Sequence, residues 1–130
     1  MEENRITIST KQTKGKVKEL SKYEIFAKDY FEAVEDLKND TTFKEMKQEG
    51  EFNFDRPTVN LKGYRIDMLN KAISKISNGE LEAHKEYYGG YYLTLPNRQA
   101  DQNRRTYQAE YIAEALKAKG YEASVIYQLD

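Results

Sequence analysis

The chain has 130 residues, of which 38% are hydrophobic and 33% charged, with a net charge of -1, no cysteine and a single histidine. A chain of this length fits one core, so we expect a single α+β domain over residues 1–130. Without cysteine there are no disulfides or thiolate nucleophiles, and one histidine excludes a histidine-rich metal site. We therefore expect no cofactor and a protein that is not an enzyme.

The sequence also predicts where the protein is located and how its charge is distributed. No apolar run reaches the roughly 18 to 20 residues of a membrane span, and the first residues lack the pattern of a signal peptide, which predicts a cytoplasmic protein without a membrane partner. Residues 1–22 carry six Lys or Arg against three acids, whereas residues 24–55 carry four Lys against ten acids. Such an uneven charge distribution affects which partners a protein binds, but it does not indicate a fold.

The N-terminal segment alternates apolar and polar residues from Arg5 to Ser9, which predicts a strand. Residues 11–18 are rich in lysine and centre on Lys14-Gly15. They form either the turn and return strand of a hairpin or, with the rest of residues 1–20, a mobile basic arm.

A helix is predicted from about residue 22 to 38, because Ser21 and Glu24 form a capping-box pattern. Its apolar residues repeat at helical spacing and form one stripe: Tyr23, Phe26, Ala27, Tyr30, Ala33, Val34 and Leu37. The opposite side is acidic: Glu24, Asp29, Glu32, Glu35 and Asp36. This acidic face is either a solvated surface or a docking surface for a basic partner.

Three elements are predicted in the middle of the chain. A short helix starts at a cap in residues 40–42 and stops at Gly50. Residues 51–54 alternate like a strand that is broken before Pro57. A third helix covers residues 64–77 and ends at Asn78-Gly79.

Tyrosine is abundant, with 11 in the chain, and four flank the glycine pair of residues 89 and 90. In one interpretation, residues 81–95 form a hairpin with the glycines as a two-residue turn, so that Tyr88 faces Tyr91 and Tyr87 faces Tyr92. Tyr88 and Tyr91 would then belong to the core, and Tyr87 and Tyr92 to a more polar face. In the rival interpretation residues 80–88 form a helix that the glycines cap.

The C-terminal part predicts a strand at 91–95, a helix that finishes at Lys119 and a strand at 121–127. This order predicts a βαβ unit with parallel strands and a right-handed crossover. The overall expectation is an α+β domain with three to four helices and a small mixed sheet.

Two groups of residues could carry chemistry. On a strand, Glu82, His84 and Glu86 would share a face and could in principle bind a metal or transfer protons, although such a row is usually a solvated edge. The second group would form a surface of aromatic rings and guanidinium groups suited to protein anchoring or base stacking. Its members are Tyr87, Tyr92, Arg98, Arg104, Tyr107 and Tyr111.

No sequence motif indicates a particular enzymatic reaction. The near-zero net charge favours a protein partner over nucleic acid. We therefore expect a non-enzymatic interaction module, for instance a phage or plasmid accessory protein that inhibits a host nucleic-acid-handling protein. The alternative is a protein that binds single-stranded nucleic acid through the Tyr/Arg surface and the lysines of residues 11–18.

Overall fold

The computed structural model describes residues 20–97 and 100–129, and within these ranges the chain forms four helices and four strands. In chain order they are α1 (Lys22–Lys38), α2 (Thr41–Glu45), β1 (Arg56–Asn60), α3 (Ile66–Ser77), β2 (Ala83–Lys85), β3 (Tyr91–Leu93), α4 (Gln102–Ala118) and β4 (Glu122–Ile126). The predicted α+β class is confirmed. The predicted strand at 5–9 and the hairpin or arm at 11–18 lie outside the described residues.

Helix α1 has the predicted bounds and the predicted cap. The Ser21 hydroxyl accepts a hydrogen bond from the Glu24 backbone N–H at 3.2 Å, and the Glu24 carboxylate accepts one from the Ser21 N–H at 2.9 Å. These two bonds satisfy donors that a helix start otherwise leaves unpaired. The predicted stripe faces the core, since its buried residues are Phe26, Ala27, Tyr30, Ala33, Val34 and Leu37.

Helix α2 is shorter than predicted. The Asp40 side chain caps it by accepting a hydrogen bond from the Phe43 N–H at 2.9 Å, and Met46 already has an extended backbone. Phe43 is buried and Met46 half-buried, whereas residues 47–52 are exposed. The helix ends early because residues 47–51 are polar or glycine and offer no apolar side to pack, and packing supplies most of a short helix's stability.

The four strands form one sheet in the order β2-β3-β1-β4, and each neighbouring pair is antiparallel. From β1 onward the elements follow the order β-α-β-β-α-β, which with this strand order is the ferredoxin-like arrangement. The prediction of a mixed sheet is therefore wrong. Strands β3 and β4 do run parallel around α4, but β1 lies between them and pairs with both.

Strand β1 begins where the sequence suggested a break. Of the predicted strand 51–54, Asn53 forms an isolated bridge with Leu129, and the regular strand spans 56–60 with Pro57 inside it. Phe54 donates its backbone N–H to the Gln128 carbonyl at 2.6 Å. Because alternate residues of a strand direct their N–H groups to the same neighbour, the N–H groups of the even-numbered residues here point to the β4 side. The absent N–H of Pro57 thus faces β3, whose pairing with β1 begins only at Thr58, and the proline is tolerated.

Strands β2 and β3 form the predicted hairpin, and the helical alternative for residues 80–88 is wrong. The register pairs Ala83 with Leu93, His84 with Tyr92 and Lys85 with Tyr91, so residues 86–90 form a five-residue loop rather than a two-residue turn. The predicted pairs Tyr88–Tyr91 and Tyr87–Tyr92 are therefore wrong. Tyr87 and Tyr88 lie in the loop, 90% and 72% exposed, so Tyr88 is not a core residue.

Two contacts hold this loop against strand β1. The Arg56 guanidinium donates to both oxygens of Glu86, at 2.6 Å from Nε and 3.0 Å from Nη2, and the Glu86 side chain is buried. Gly90 has a φ of +75°, and a Cβ there would lie 2.9 Å from the Val59 carbonyl oxygen. Only glycine combines that backbone angle with such a close approach.

The helices cover one face of the sheet. Helix α3 packs against β2, α4 packs against β1 and β4, and α1 packs against both α3 and α4. The strand residues on that side join the core: Val59, Ala83, Leu93 and Ala123. Because side chains alternate along a strand, Arg56, Tyr92 and His84 point to the other face, which no helix of the described residues covers. None of the described helices combines the length and apolar character needed to span a membrane.

Candidate protein-interaction surfaces

Most of the predicted acidic face of α1 is occupied by contacts within the protein. The Asp29 carboxylate accepts a hydrogen bond from the Tyr121 hydroxyl at 2.7 Å and lies 3.6 Å from Lys119 Nζ. Lys119 also pairs with Glu32 at 3.4 Å. Glu35 pairs with Lys38 at 3.3 Å, and Glu24 belongs to the N-terminal cap. Four of the five predicted carboxylates therefore stabilise α1 and its contact with the segment after α4.

Asp36 is different from the other four. Its side chain is exposed, and within residues 20–97 and 100–129 no hydrogen bond or ion pair engages its carboxylate. It belongs to the part of α1 that faces Tyr107 and Tyr111 of α4. Asp36 is therefore the member of the predicted acidic face whose carboxylate stays unpaired within the described residues.

A groove between α1 and α4 surrounds Asp36. It has a volume of about 460 Å³. Its walls combine carboxylates, tyrosine rings and one small residue: Asp36, Tyr107, Glu110, Tyr111, Glu114 and Ala115. We call it the acidic tyrosine groove. On α4 the residues at 107, 110, 111 and 114 share one side because they are three or four positions apart.

The two tyrosines of the groove are neutral and held in place. The Tyr107 hydroxyl donates to Asp40 at 2.6 Å, and the rings of Tyr107 and Tyr111 lie 6.2 Å apart. This hydrogen bond raises the pKa of Tyr107 and lowers the pKa of Asp40. Burial, followed by the charges of Asp36 and Asp40, raises the pKa of Tyr111. At neutral pH the phenol rings of Tyr107 and Tyr111 are therefore un-ionised.

The structure divides the predicted Tyr/Arg surface into two. Arg104 places its guanidinium carbon 4.5 Å from the centre of the Phe43 ring, and Phe43 lies parallel to Tyr107 at 6.2 Å. Arg104, Tyr107 and Tyr111 therefore belong to the helical side of the molecule. Tyr92 lies on the uncovered sheet face and Tyr87 in the hairpin loop. Arg98 lies outside the described residues.

The uncovered sheet face carries an aromatic stack. The His84 and Tyr92 rings are 4.7 Å apart and nearly parallel, and the Arg56 guanidinium lies 5.5 Å from the centre of the Tyr92 ring. Phe54, which is 50% exposed, lies two residues before Arg56 and so on the same side. This face offers flat rings, but the charge of Arg56 is already balanced by Glu86.

The predicted row of Glu82, His84 and Glu86 is not assembled. His84 Nε2 lies 3.5 Å from Glu82, while Glu86 is bound by Arg56. Among the described residues no cluster of three or more His, Asp or Glu side chains could hold a metal ion.

Some residues of these surfaces escaped the sequence analysis. Glu110 and Glu114 were not singled out, although their spacing from Tyr107 and Tyr111 along a helix was a usable signal. Phe43 and the Arg56–Glu86 pair gave no such signal, because each contact joins segments that are far apart in the chain.

No protein-family model, curated protein or solved structure matches this chain. The ferredoxin-like arrangement supports many unrelated functions, so topology alone does not indicate one. Function has to be inferred from the surfaces of the chain itself.

Proposed function

We propose that this protein is a non-enzymatic protein-interaction module whose acidic tyrosine groove binds a basic segment of a partner protein. The observation that carries the proposal is the Asp36 carboxylate, which is exposed and unpaired within the described residues while its neighbours on α1 are engaged. A carboxylate that does not contribute to its own fold is available to a partner.

The composition of the groove favours a cationic ligand. Asp36, Glu110 and Glu114 line it, and Asp40 lies beside it through Tyr107. Lys117, which pairs with Glu114 at 3.0 Å, offsets one of these charges. Lysine and arginine side chains bind favourably over tyrosine rings, and complementary charge speeds association. Tyrosine is also among the residues that most often anchor protein interfaces.

The partner that this chemistry suits is a protein with a basic surface from which a Lys- or Arg-rich segment can enter the acidic tyrosine groove, and proteins that handle nucleic acids present such basic surfaces. Covering that basic surface would exclude the nucleic acid. The proposal therefore includes inhibition of a nucleic-acid-handling protein, the role of a phage or plasmid accessory protein acting on its host.

The test uses a fluorescein-labelled peptide of alternating arginine and glycine, and measures its dissociation constant by fluorescence anisotropy at several salt concentrations. Asp36→Lys/Glu114→Lys should weaken binding by at least about tenfold, since it reverses the charge on both walls of the groove. The matched control is Glu51→Lys/Glu122→Lys, which makes the same change in net charge at two exposed positions outside the groove.

A control variant that binds as weakly as the groove variant would contradict the proposal, because binding would then depend on net charge alone. Affinity capture from the native host with the same three proteins supplies a second readout. The partner should be retained by the wild type and by the control, and lost by the groove variant.

A second candidate function is the binding of single-stranded nucleic acid by the uncovered sheet face. The observation that favours it is the stack of Tyr92 on His84, with the half-exposed Phe54 on the same side. Four-stranded sheets with exposed aromatic residues bind RNA by stacking bases on those rings.

This candidate is tested with labelled ten-residue oligo-dT and oligo-U at low salt. Tyr92→Ala should weaken binding about tenfold or more, because a base stacked on an aromatic ring contributes roughly 1–3 kcal/mol. Tyr111→Ala, in the acidic tyrosine groove, should have no effect. The absence of binding by the wild type at low salt would eliminate this candidate and leave the first one intact.

A further inference from the structure

A cleft distinct from both surfaces lies between the C-terminal half of α1, helix α2 and the N-terminal part of α4. Its volume of about 820 Å³ falls within the range of roughly 300–1,000 Å³ that is typical of small-molecule sites. Much of its wall is apolar: Phe31, Val34, Phe43, Leu81 and Pro96. A cleft of this size and lining can enclose a small organic molecule.

Arg104 lies at this cleft, and the hydrogen-bond donors of its guanidinium group have no acceptor within the described residues. The group lies over the Phe43 ring, with its central carbon 4.5 Å from the ring centre. Its Nε atom is buried and has no hydrogen-bond partner, and no other hydrogen bond or ion pair of the Arg104 side chain occurs within the described residues. Arg104 as a whole is only half-buried, so the donors on its two terminal nitrogens are available to a ligand in the cleft.

The charged side chains around Arg104 indicate the charge of a ligand that would bind there. Among the described residues that line the cleft, Lys38 and Lys44 are cationic and Glu80 is the one carboxylate. Lys38 is partly neutralised by Glu35 at 3.3 Å. A guanidinium group presents parallel N–H donors that match the two oxygens of a carboxylate or phosphate group. The cleft therefore favours an anion.

We propose that this cleft binds a small organic anion, with a carboxylate or phosphate group on Arg104 and an apolar body against Phe43 and Leu81. The terminal nitrogens of the guanidinium group would bind the anion, and the neighbouring apolar wall accommodates an aromatic or aliphatic body. This site does not depend on the acidic tyrosine groove, so either proposal can fail without the other.

The experiment titrates the ¹⁵N-labelled protein with four probes and follows its amide resonances by NMR. Phenylacetate and phenyl phosphate combine an anionic group with an apolar ring, inorganic phosphate has only the charge, and phenylacetamide has only the ring with a neutral head. The first two should cause saturable shifts around Phe43, Leu81 and Arg104, with dissociation constants in roughly the millimolar range expected of such small ligands.

The other two probes should bind at least about tenfold more weakly, and the ratio between phenylacetate and phenyl phosphate identifies the preferred head group. Arg104→Gln should reduce the affinity for the preferred probe by about tenfold or more, and Arg104→Lys should retain part of it. Arg65→Gln, which removes an exposed arginine outside the cleft, should leave binding unchanged.

The proposal is overturned if neither anion gives saturable shifts around the cleft, or if phenylacetamide binds as well as phenylacetate. It is likewise overturned if Arg104→Gln, shown to be folded by its unchanged amide dispersion elsewhere, binds the anions as the wild type does.

Discussion

The helical layer and the hairpin loop use tyrosine in opposite ways. In the helical layer two hydroxyl groups are engaged: Tyr121 donates to Asp29 at 2.7 Å and Tyr107 donates to Asp40 at 2.6 Å. In the hairpin loop Tyr87 and Tyr88 contact each other edge to face, and their hydroxyls have no hydrogen bond within the described residues. Tyr107 and Tyr121 stabilise the fold, whereas Tyr87 and Tyr88 are exposed to solvent.

The exposed rings of Tyr87 and Tyr88 lie on a loop that is anchored at both ends. The loop that carries Tyr87 and Tyr88 begins at Glu86, which is bound by Arg56, and ends at Gly90, which lies against Val59. The loop is therefore held by an ion pair and a close backbone approach, while the helical tyrosines are held by their own rings and hydroxyls. Substitutions should separate these two kinds of support.

The largest effect is expected from Arg56→Ala. It leaves the buried Glu86 carboxylate without its partner, and breaking a buried pair in this way costs about 3 kcal/mol of unfolding free energy. Urea unfolding followed by circular dichroism measures the change. Arg65→Ala removes an exposed partner of Asp67 and should cost less than about 0.5 kcal/mol. Equal losses would show that the loop is not held by its ion pair.

The same pair should make the stability depend on acid. The hydrogen bond from Arg56 lowers the pKa of Glu86, so its stabilisation is complete above the unfolded carboxyl pKa of about 4.3. It is lost as the pH falls through the lower pKa of the folded state. The urea midpoint of the wild type should therefore fall more steeply below about pH 4 than that of Arg56→Ala/Glu86→Gln. Parallel profiles would contradict this account.

A smaller effect is expected from Gly90→Ala. The added Cβ meets the Val59 carbonyl oxygen at 2.9 Å and also requires a positive φ, which together cost about 2 kcal/mol. Gly89→Ala has a positive φ but nothing within 4 Å of the added Cβ, and should cost about 1 kcal/mol. Thermal or urea unfolding of both variants decides whether the approach to β1 constrains the loop.

The smallest effects compare the tyrosine hydroxyls directly. Tyr121→Phe removes the hydrogen bond to Asp29 and should cost about 1 kcal/mol of unfolding free energy. Tyr87→Phe removes a hydroxyl of a ring that is 90% exposed, and its effect should lie within about 0.5 kcal/mol. A loss for Tyr87→Phe as large as that for Tyr121→Phe would remove the distinction between the two regions.

The helices could be predicted because their signals are local. The cap at Ser21, the repeat of apolar residues along α1 and the stop at Asn78-Gly79 all lie within a few residues of the element they define. The sheet was predicted less well. Its strands are three to five residues long, and the position of β1 between β3 and β4 depends on pairing across large distances in the chain.

The candidate surfaces show the same division. The five carboxylates of α1 were identified as one acidic face, but Lys119 and Tyr121, which occupy two of them, come from the segment after α4. Sequence spacing cannot show which charges are neutralised by distant residues. The tertiary contacts reduced that face to Asp36 and added Glu110 and Glu114 beside it.

The sequence by itself determined the α+β class and the extent of α1, and it left a hairpin around Gly89 and Gly90 as one of two interpretations. These depend on periodicity, caps and turn residues, which act over one or two helical turns. Only the tertiary structure decided the antiparallel strand order, the register that exposes Tyr87 and Tyr88, and the position of Arg104 over Phe43. Each of these is set by the ion pairs, ring contacts and backbone approaches of residues that the chain brings together only when it folds.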